Sequence, residues 1–265
     1  MTQFVLGLAQ CRHPEDGDAV ALVERTAAQA LERGVELLVF PESLMTRYEE
    51  ELEGFLAAAQ PVGGAFCEQV SRIAKRFGLW IVYTMNELAP DGAKPYNTAI
   101  LVDDAGCTRK VYRKIHLFDS ATTRESERMS AGADAPSCID TPFGRIGLGI
   151  CYDLRFPEFA RMLACDGCEL LLYPAAWVAG PHKIEQWKTL LSARAVENEL
   201  FVAGLSRCDE GYSANSCIVD PDGVIIAEAH QDEELLCARV DTEAIRTTRE
   251  RIPVFEHRRT DIYRL

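Results

Sequence analysis

Short apolar runs alternate along this chain with longer segments of helical periodicity, and this alternation limits the folds open to it. Residues 4–9 form an apolar run, residues 19–33 carry apolar side chains at helical spacing, and residues 35–40 form a second apolar run. Gly34 lies between the helix and the second run, where the end of a helix favours a residue without Cβ. The segment is therefore a β-α-β unit, which predicts an α/β sheet.

The same alternation continues to about residue 240. Further helices are predicted at 64–77, 157–165 and 184–198. Strands are predicted at 79–84, 98–102, 145–150, 169–173, 200–205 and 235–240, with a hairpin at 216–227 that turns at Pro221-Asp222-Gly223. Because no linker or repeat divides the chain, we predict a single domain over residues 1–265, with a C-terminal tail from about residue 242 that leaves the core.

Charge and hydropathy exclude several classes of partner. The chain has 28 basic and 41 acidic residues, a net charge of −13, so we expect no nucleic-acid partner. No apolar stretch approaches the roughly 20 residues of a membrane-spanning helix, and the N-terminus lacks the features of a signal peptide. We therefore expect a cytoplasmic protein without a membrane partner, whose ten cysteines are free thiols.

The strongest chemical signal is the segment Gly-Leu-Gly-Ile-Cys-Tyr-Asp at residues 147–153. A buried strand runs into Cys151, and a helix begins at Pro157. This strand–turn–helix pattern presents a side chain at the strand end and leaves backbone N–H groups near the sulfur, which can lower a thiol pKa and bind an oxyanion. A packed core cysteine is the simpler alternative, and the glycines and the turn favour a nucleophile.

Two further segments carry reactive side chains. Glu42 follows Phe-Pro at the carboxyl end of a strand, where ligands bind in open α/β sheets. Lys114 lies in a basic run between apolar residues, which taken alone is more typical of a solvated edge. Together with Cys151, these residues supply a base, an electrostatic stabiliser and a nucleophile, the parts required for acyl transfer by a thiol.

Longer motifs surround these three residues. They are Phe-Pro-Glu at 40–42, Tyr-Arg-Lys-Ile-His-Leu-Phe-Asp at 112–119 and Gly-Ile-Cys-Tyr-Asp-Leu-Arg-Phe-Pro-Glu at 149–158, with further matches at 191–198, 219–223, 252–255 and 261–263. In this order they resemble the carbon–nitrogen hydrolase (nitrilase) superfamily over nearly the whole chain. The resemblance implies an α/β fold, a four-layer α-β-β-α sandwich of mixed sheets with helices on the outer faces. It also implies a homodimer or higher even oligomer, with the tail at residues 242–265 at the subunit interface.

The resemblance assigns roles to individual residues. Cys151 is the implied nucleophile and Glu42 the implied general base. Lys114 is implied to stabilise the tetrahedral intermediate, together with the backbone N–H of Tyr152, which is also counted among the substrate-binding residues.

The resemblance also implies a second glutamate and a substrate pocket. The second glutamate falls on Glu125, in a stretch similar to the family's Glu-Ser-x-x-x-Ser-x-Gly, and Glu127 is the competing position. Tyr48 and Trp177 fall at pocket-lining positions, although core packing explains both aromatics equally well. Arg155 is a candidate to bind a substrate carboxylate or to support the turn after the cysteine.

Within the superfamily, the second and third motifs resemble the omega-amidase and deaminated-glutathione-amidase branch, which acts on small amides that carry a carboxylate. We therefore expect an amidase that releases ammonia from such an amide through a cysteine thioester. The sequence at residues 177–183 differs from the pattern typical of omega-amidases, so the substrate pocket can differ there. One alternative is an N-carbamoyl amino acid or amine hydrolase, or a nitrilase, although nitrilases usually carry Trp where this chain has Tyr152. The other is a non-catalytic binding subunit, against which the complete triad argues.

The remaining motifs are interpreted as structural. Cys165 and Cys168 form a C-x-x-C at the end of a helix, whereas redox motifs stand at its beginning, and no second pair exists for zinc. The five histidines lack metal-ligand spacing, so we expect no metal and no cofactor. His116 is expected to support its loop, and Arg194 and Glu197 to pair on a helix surface.

Overall fold

Two mixed β-sheets and six helices make up the computed structural model, which describes residues 2–15, 17–47, 51–90 and 92–262. The strands of the first sheet are β1 (Gln3–Gln10), β2 (Leu37–Val39), β3 (Trp80–Glu87), β4 (Tyr96–Val102), β5 (Thr108–Arg113) and β12 (Glu234–Asp241). Those of the second are β6 (Ile139–Thr141), β7 (Gly144–Leu148), β8 (Leu170–Ala175), β9 (Phe201–Ser206), β10 (Cys217–Val219) and β11 (Ile225–Glu228). The helices are α1 (Ala19–Glu32), α2 (Leu52–Ala58), α3 (Ala65–Phe77), α4 (Pro157–Cys165), α5 (Lys183–Asn198) and α6 (Glu243–Arg251).

The two sheets share one pattern of parallel and antiparallel strand pairing. Their strand orders are β12-β1-β2-β3-β4-β5 and β11-β10-β9-β8-β7-β6. In each sheet three adjacent strands are parallel, β1 to β3 and β7 to β9, and the outer strands pair antiparallel. Because parallel strands end at the same edge of a sheet, the loops that follow them gather functional side chains there.

Both faces of the central strands are buried, which explains why their sequences are apolar runs without alternation. Phe4, Leu6 and Leu8 of β1 point into the core that contains side chains of both sheets. Ala9 belongs to a second core formed with α1 and α3. Successive side chains of a strand therefore enter different cores, as the period of two requires.

Helices cover the outer faces of the two sheets. Helices α1 and α3 pack on the first sheet, and α4 and α5 on the second, where Phe159 and Trp187 are fully buried. Gly204 in β9 permits the approach of α5, since a Cβ at this position would lie 2.5 Å from a methyl carbon of Leu191. The result is the predicted four-layer α-β-β-α sandwich.

The sequence-based prediction missed β5, β6, α2 and α6. Strand β5 is an edge strand with mostly polar side chains, so it lacks the apolar run of a buried strand. Helix α6 is strongly polar and buries only two of its residues, Ile245 and Thr248. The prediction that the chain leaves the core at residue 242 is therefore wrong for this helix, because Ile245 belongs to the main core.

The ten cysteines are free thiols, as predicted. Within the described ranges, no helix is long and apolar enough to cross a membrane. The same ranges contain no cluster of three or more histidine, cysteine or acidic residues that could hold a metal ion.

Candidate active site

Glu42 lies in the loop after β2, and hydrogen-bond donors surround its buried carboxylate. Oε1 accepts from Nζ of Lys114 at 2.9 Å and from Nδ2 of Asn97 at 2.7 Å. Oε2 accepts from the backbone N–H of Ala176 at 2.7 Å. The Arg207 guanidinium donates to the carbonyl of the next residue in the loop at 2.8 Å. These contacts fix both the loop and the orientation of the carboxylate.

Lys114 follows the end of β5 and is only 1% exposed. Besides Glu42, its ammonium contacts both oxygens of Glu125, at 3.0 and 2.9 Å. Glu125 also accepts from the backbone N–H of Phe118 at 2.6 Å. Glu127, the competing position, is exposed. The structure therefore brings Glu125 rather than Glu127 beside the lysine, in a site where a buried cation has two carboxylate partners, as burial of a charge requires.

Cys151 stands at a strained turn between β7 and α4. It begins a 3₁₀ turn (Cys151–Arg155), and its φ of +46° lies in the left-handed region. Such a conformation costs a non-glycine residue about 1–3 kcal/mol and is concentrated at functional sites. Gly149, two residues earlier, permits close packing, because a Cβ there would lie 2.6 Å from the Tyr173 ring. The predicted turn at the strand end is present, with a 3₁₀ segment inserted before the helix.

Asp153 ties the turn to the lysine segment. Its Oδ2 accepts from the backbone N–H of Ile150 at 2.8 Å and from the Tyr112 hydroxyl at 2.7 Å, and its Oδ1 lies 2.8 Å from Nδ1 of His116. Tyr112 and His116 stand two residues before and two residues after Lys114. One fully buried carboxylate therefore holds the lysine and cysteine segments in register, and the expected supporting role of His116 is observed.

The Cys151 thiol is buried next to this charged cluster. Burial, followed by the negative charge of Glu42 and a hydrogen bond to it, raises the pKa of Cys151 well above its ordinary value, while the charge of Lys114 opposes the shift. The sequence-based argument that backbone N–H groups lower this pKa is therefore outweighed. The sulfur lies beside the Glu42 carboxylate.

A narrow pocket opens onto the cysteine. Its lining residues are Glu42, Lys114, Phe118, Cys151, Tyr152, Arg155, Ala176, Trp177, Val178 and Lys183. Trp177 also packs against Trp187, with ring centroids 5.0 Å apart, so this aromatic both lines the pocket and packs in the core. Arg155 and Tyr152 also line this pocket, whereas Tyr48 lies outside the described residues.

The structural motifs are only partly as predicted. Arg194 pairs with Glu197 at 2.8 Å, but the expectation of a surface pair is wrong because Arg194 is buried. Its Nε donates to the carbonyl of Leu154 at 3.0 Å, inside the turn that begins at the cysteine. Cys165 is exposed and Cys168 buried, both at the C-terminal end of α4.

Several residues of the site were not predicted, among them Asn97, Asp153 and Lys183. Asn97 is a buried polar residue at the start of a strand that continues as an apolar run, which is a usable sequence signal. Asp153 belongs to the motif at residues 149–158, but its hydrogen-bond partners Tyr112 and His116 lie about 40 residues earlier in the sequence. Lys183 lies in residues 177–183, which differ from the sequence pattern of the related amidases, and only the fold brings it to the pocket.

Comparison with known proteins gives consistent matches. Residues 5–250 match the family described as carbon-nitrogen hydrolase. The chain is 36% identical to deaminated glutathione amidase of Escherichia coli O157:H7 over 232 residues, 88% of either chain. It is 33% identical to the omega-amidase of Homo sapiens, covering 99% of this chain and 98% of the relative. The crystal structure of Saccharomyces cerevisiae Nit3, a nitrilase superfamily member, superimposes with a TM-score of 0.86 at 31% identity, covering 97% of both chains.

Proposed function

Since the chain belongs to the carbon–nitrogen hydrolase family, we propose that it is an amidase that releases ammonia from a small aliphatic amide carrying a carboxylate. One observation carries the proposal: a buried Lys114 ammonium contacts Glu42 and Glu125 in the pocket that holds Cys151. Two relatives, a deaminated glutathione amidase and an omega-amidase, support the choice of an amide.

In the first half of the proposed reaction, Glu42 accepts the Cys151 proton as the sulfur attacks the amide carbon. Burial and the charge of Glu42 raise the thiol pKa, which favours transfer of the proton to Glu42 as the attack proceeds. The carbonyl oxygen gains negative charge, which Lys114 and the backbone N–H of Tyr152 stabilise. Tyr152 stands at the start of the 3₁₀ turn, where the first N–H groups have no partner within the helix.

In the second half, the tetrahedral intermediate collapses. Glu42 returns its proton to the nitrogen, ammonia leaves, and a thioester remains on Cys151. Glu42 then takes a proton from water, whose oxygen attacks the thioester carbon. The carboxylic acid leaves as the sulfur regains a proton, so the net reaction is amide plus water to acid plus ammonia. No step requires a cofactor or a metal.

The other site residues have positioning and binding roles in this proposal. Glu125 orients the Lys114 ammonium through its two contacts, and Asp153 holds the turn. Trp177 and the Tyr152 ring form the walls of the pocket, and Arg155 binds the carboxylate of the substrate. Tyr48 remains a predicted pocket residue.

Ammonia release by the purified protein tests the proposal. The substrates are succinamate, the neutral amide butanamide, an N-carbamoyl amino acid and a nitrile, each assayed with the native chain and with Cys151→Ala. Turnover of succinamate that disappears in Cys151→Ala is the expected result. Turnover of only the carbamoyl compound or only the nitrile would retain the triad and reject the substrate. No turnover of any compound would favour a non-catalytic binding subunit.

We also propose that the chain works in the cytoplasm as a homodimer or higher even oligomer, with the tail at the interface. Ile252 and Ile262 in the tail are 56% and 61% exposed, which leaves apolar surface for a second copy to cover. Sedimentation velocity checks this proposal: Ile252→Asp is expected to shift the full chain towards monomer. A native chain that sediments as a monomer at micromolar concentration contradicts it.

A further inference from the structure

Two cations share one aromatic ring at the outer end of the pocket. The Arg155 guanidinium carbon lies 4.7 Å from the ring centroid of Trp177, and Nζ of Lys183 lies 5.4 Å from the same ring. Nζ of Lys183 is also 5.7 Å from the Phe118 ring. The indole Nε1 donates to the Lys183 carbonyl at 3.0 Å, which fixes the start of α5 against the pocket.

Neither cation has an acidic partner within the described part of the chain. Arg155 donates to the neutral side-chain oxygen of Gln186 at 2.8 Å, and the Lys183 ammonium lies near the rings of Phe118 and Trp177. Other basic residues nearby do find acids: Lys188, one and a half turns further along α5, pairs with Glu228 at 2.5 Å. In a chain with 41 acidic residues, two adjacent cations without a carboxylate are unusual and mutually repulsive.

The pocket is therefore divided by charge along its length. Its buried end holds Cys151, the Glu42 carboxylate and the Lys114 ammonium, and its more exposed end holds the two cations. Burial and the nearby charge of Arg155 lower the pKa of Lys183, while Cys151 acts in the opposite direction. A bound anion between Arg155 and Lys183 would relieve this repulsion.

We propose that Lys183 is a specificity-determining residue that binds, jointly with Arg155, a carboxylate at the end of the substrate remote from the scissile amide. The inference rests on the proposed function, since it concerns the same pocket. It assigns substrate selection to Arg155 and Lys183 together, because Arg155 already has a neutral hydrogen-bond partner in Gln186. The apolar wall of Trp177 and Phe118 then lies beside the carbon chain between amide and carboxylate.

Direct binding to Cys151→Ala protein tests this role without turnover. Isothermal titration calorimetry measures the affinity for succinamate and for butanamide. The proteins compared all carry Cys151→Ala and have Lys183 unchanged, Lys183→Met or Lys183→Arg. Lys188→Met, on the same helix and outside the pocket, is the matched control. Because a hydrogen bond between charged groups is worth about 1.5–3 kcal/mol, we expect Lys183→Met to weaken succinamate binding by about tenfold or more. Lys183→Arg should recover most of the affinity, and butanamide should bind all variants alike.

The outcomes separate this inference from the proposed function. Unchanged succinamate binding in Lys183→Met, equal losses for succinamate and butanamide, or no succinamate binding to the parent protein would each overturn the role of Lys183. Selective binding that depends on Lys183, combined with no ammonia release by the native chain, would keep the anion site and reject the amidase. Ammonia release with no preference for carboxylate-bearing amides would keep the amidase and reject the anion site.

Discussion

Replacing Glu125 by glutamine tests whether the second glutamate positions the lysine. The substitution keeps the size of the side chain and exchanges one oxygen for an NH₂ group. Both oxygens of Glu125 face donors, Nζ of Lys114 at 3.0 and 2.9 Å and the backbone N–H of Phe118 at 2.6 Å. In either amide orientation the NH₂ group therefore meets a donor, so at least one contact is lost and the ammonium shifts.

The geometry sets the size of the effect. A hydrogen bond to a charged group is worth about 1.5–3 kcal/mol. If the full amount stabilises the transition state through Lys114, kcat/KM falls about 10- to 150-fold, at about 1.36 kcal/mol for each factor of ten. The loss should appear mainly in kcat, because Glu125 does not line the pocket itself.

Ammonia release from succinamate measures this loss, and Glu127→Gln is the matched control. Glu127 lies two residues away and is exposed, so the control makes the same chemical change outside the buried cluster and should stay within about twofold of the native rate. Thermal unfolding of both variants establishes that they are folded. The reasoning is refuted if Glu125→Gln keeps the native rate, or if Glu127→Gln loses more activity than Glu125→Gln.

Three further predictions use single side chains of the site. Tyr112→Phe removes a hydroxyl bonded to a buried carboxylate at 2.7 Å and should lower the free energy of unfolding by about 2 kcal/mol. The hydroxyl of Tyr173 is buried without a hydrogen-bond partner among the described residues, so Tyr173→Phe should be nearly neutral in the same denaturant titration; equal effects would contradict this. Alkylation of Cys151 by iodoacetamide should rise with pH through a midpoint above that of an ordinary thiol, and Glu42→Gln should move the midpoint to lower pH, since the charge of Glu42 raises this pKa. An unmoved midpoint would exclude that interaction. Gly149→Ala should destabilise the fold and abolish ammonia release, because its Cβ would lie 2.6 Å from the Tyr173 ring; native activity in this variant would show that the turn adapts.

Segments that are buried on both faces were predicted more accurately from the sequence than segments with an exposed, polar face. Strands β1 and β3 are buried on both faces and appear as apolar runs, so their positions were predicted closely. Strand β5 carries Lys114 towards the site but stands at the sheet edge, and its polar residues resemble a solvated segment. Helix α6 escaped prediction for the same reason, because only Ile245 and Thr248 mark its buried side.

Within the site, local motifs and long-range contacts were unequally predictable. The segments around Glu42, Lys114 and Cys151 stand out because each combines a strand end with a reactive side chain. The resemblance favoured Glu125 over Glu127, but both belong to one short turn, and only packing shows which carboxylate is buried. The raised pKa of the thiol was likewise missed, because burial and a neighbouring carboxylate depend on the fold.

The sequence by itself determined the α/β class, the order of most elements and the three segments that carry the candidate triad, whereas the four-layer arrangement was implied by the family resemblance. These properties follow from local periodicity and residue type, which fix which face of each element is buried. The tertiary structure decided which side chains meet. Lys114 and Glu42 are 72 residues apart in sequence, and Arg155 and Lys183 share one indole only because α5 begins beside the turn that follows Cys151. Contacts between distant segments depend on how the two sheets and their helices pack, which periodicity within one segment does not encode.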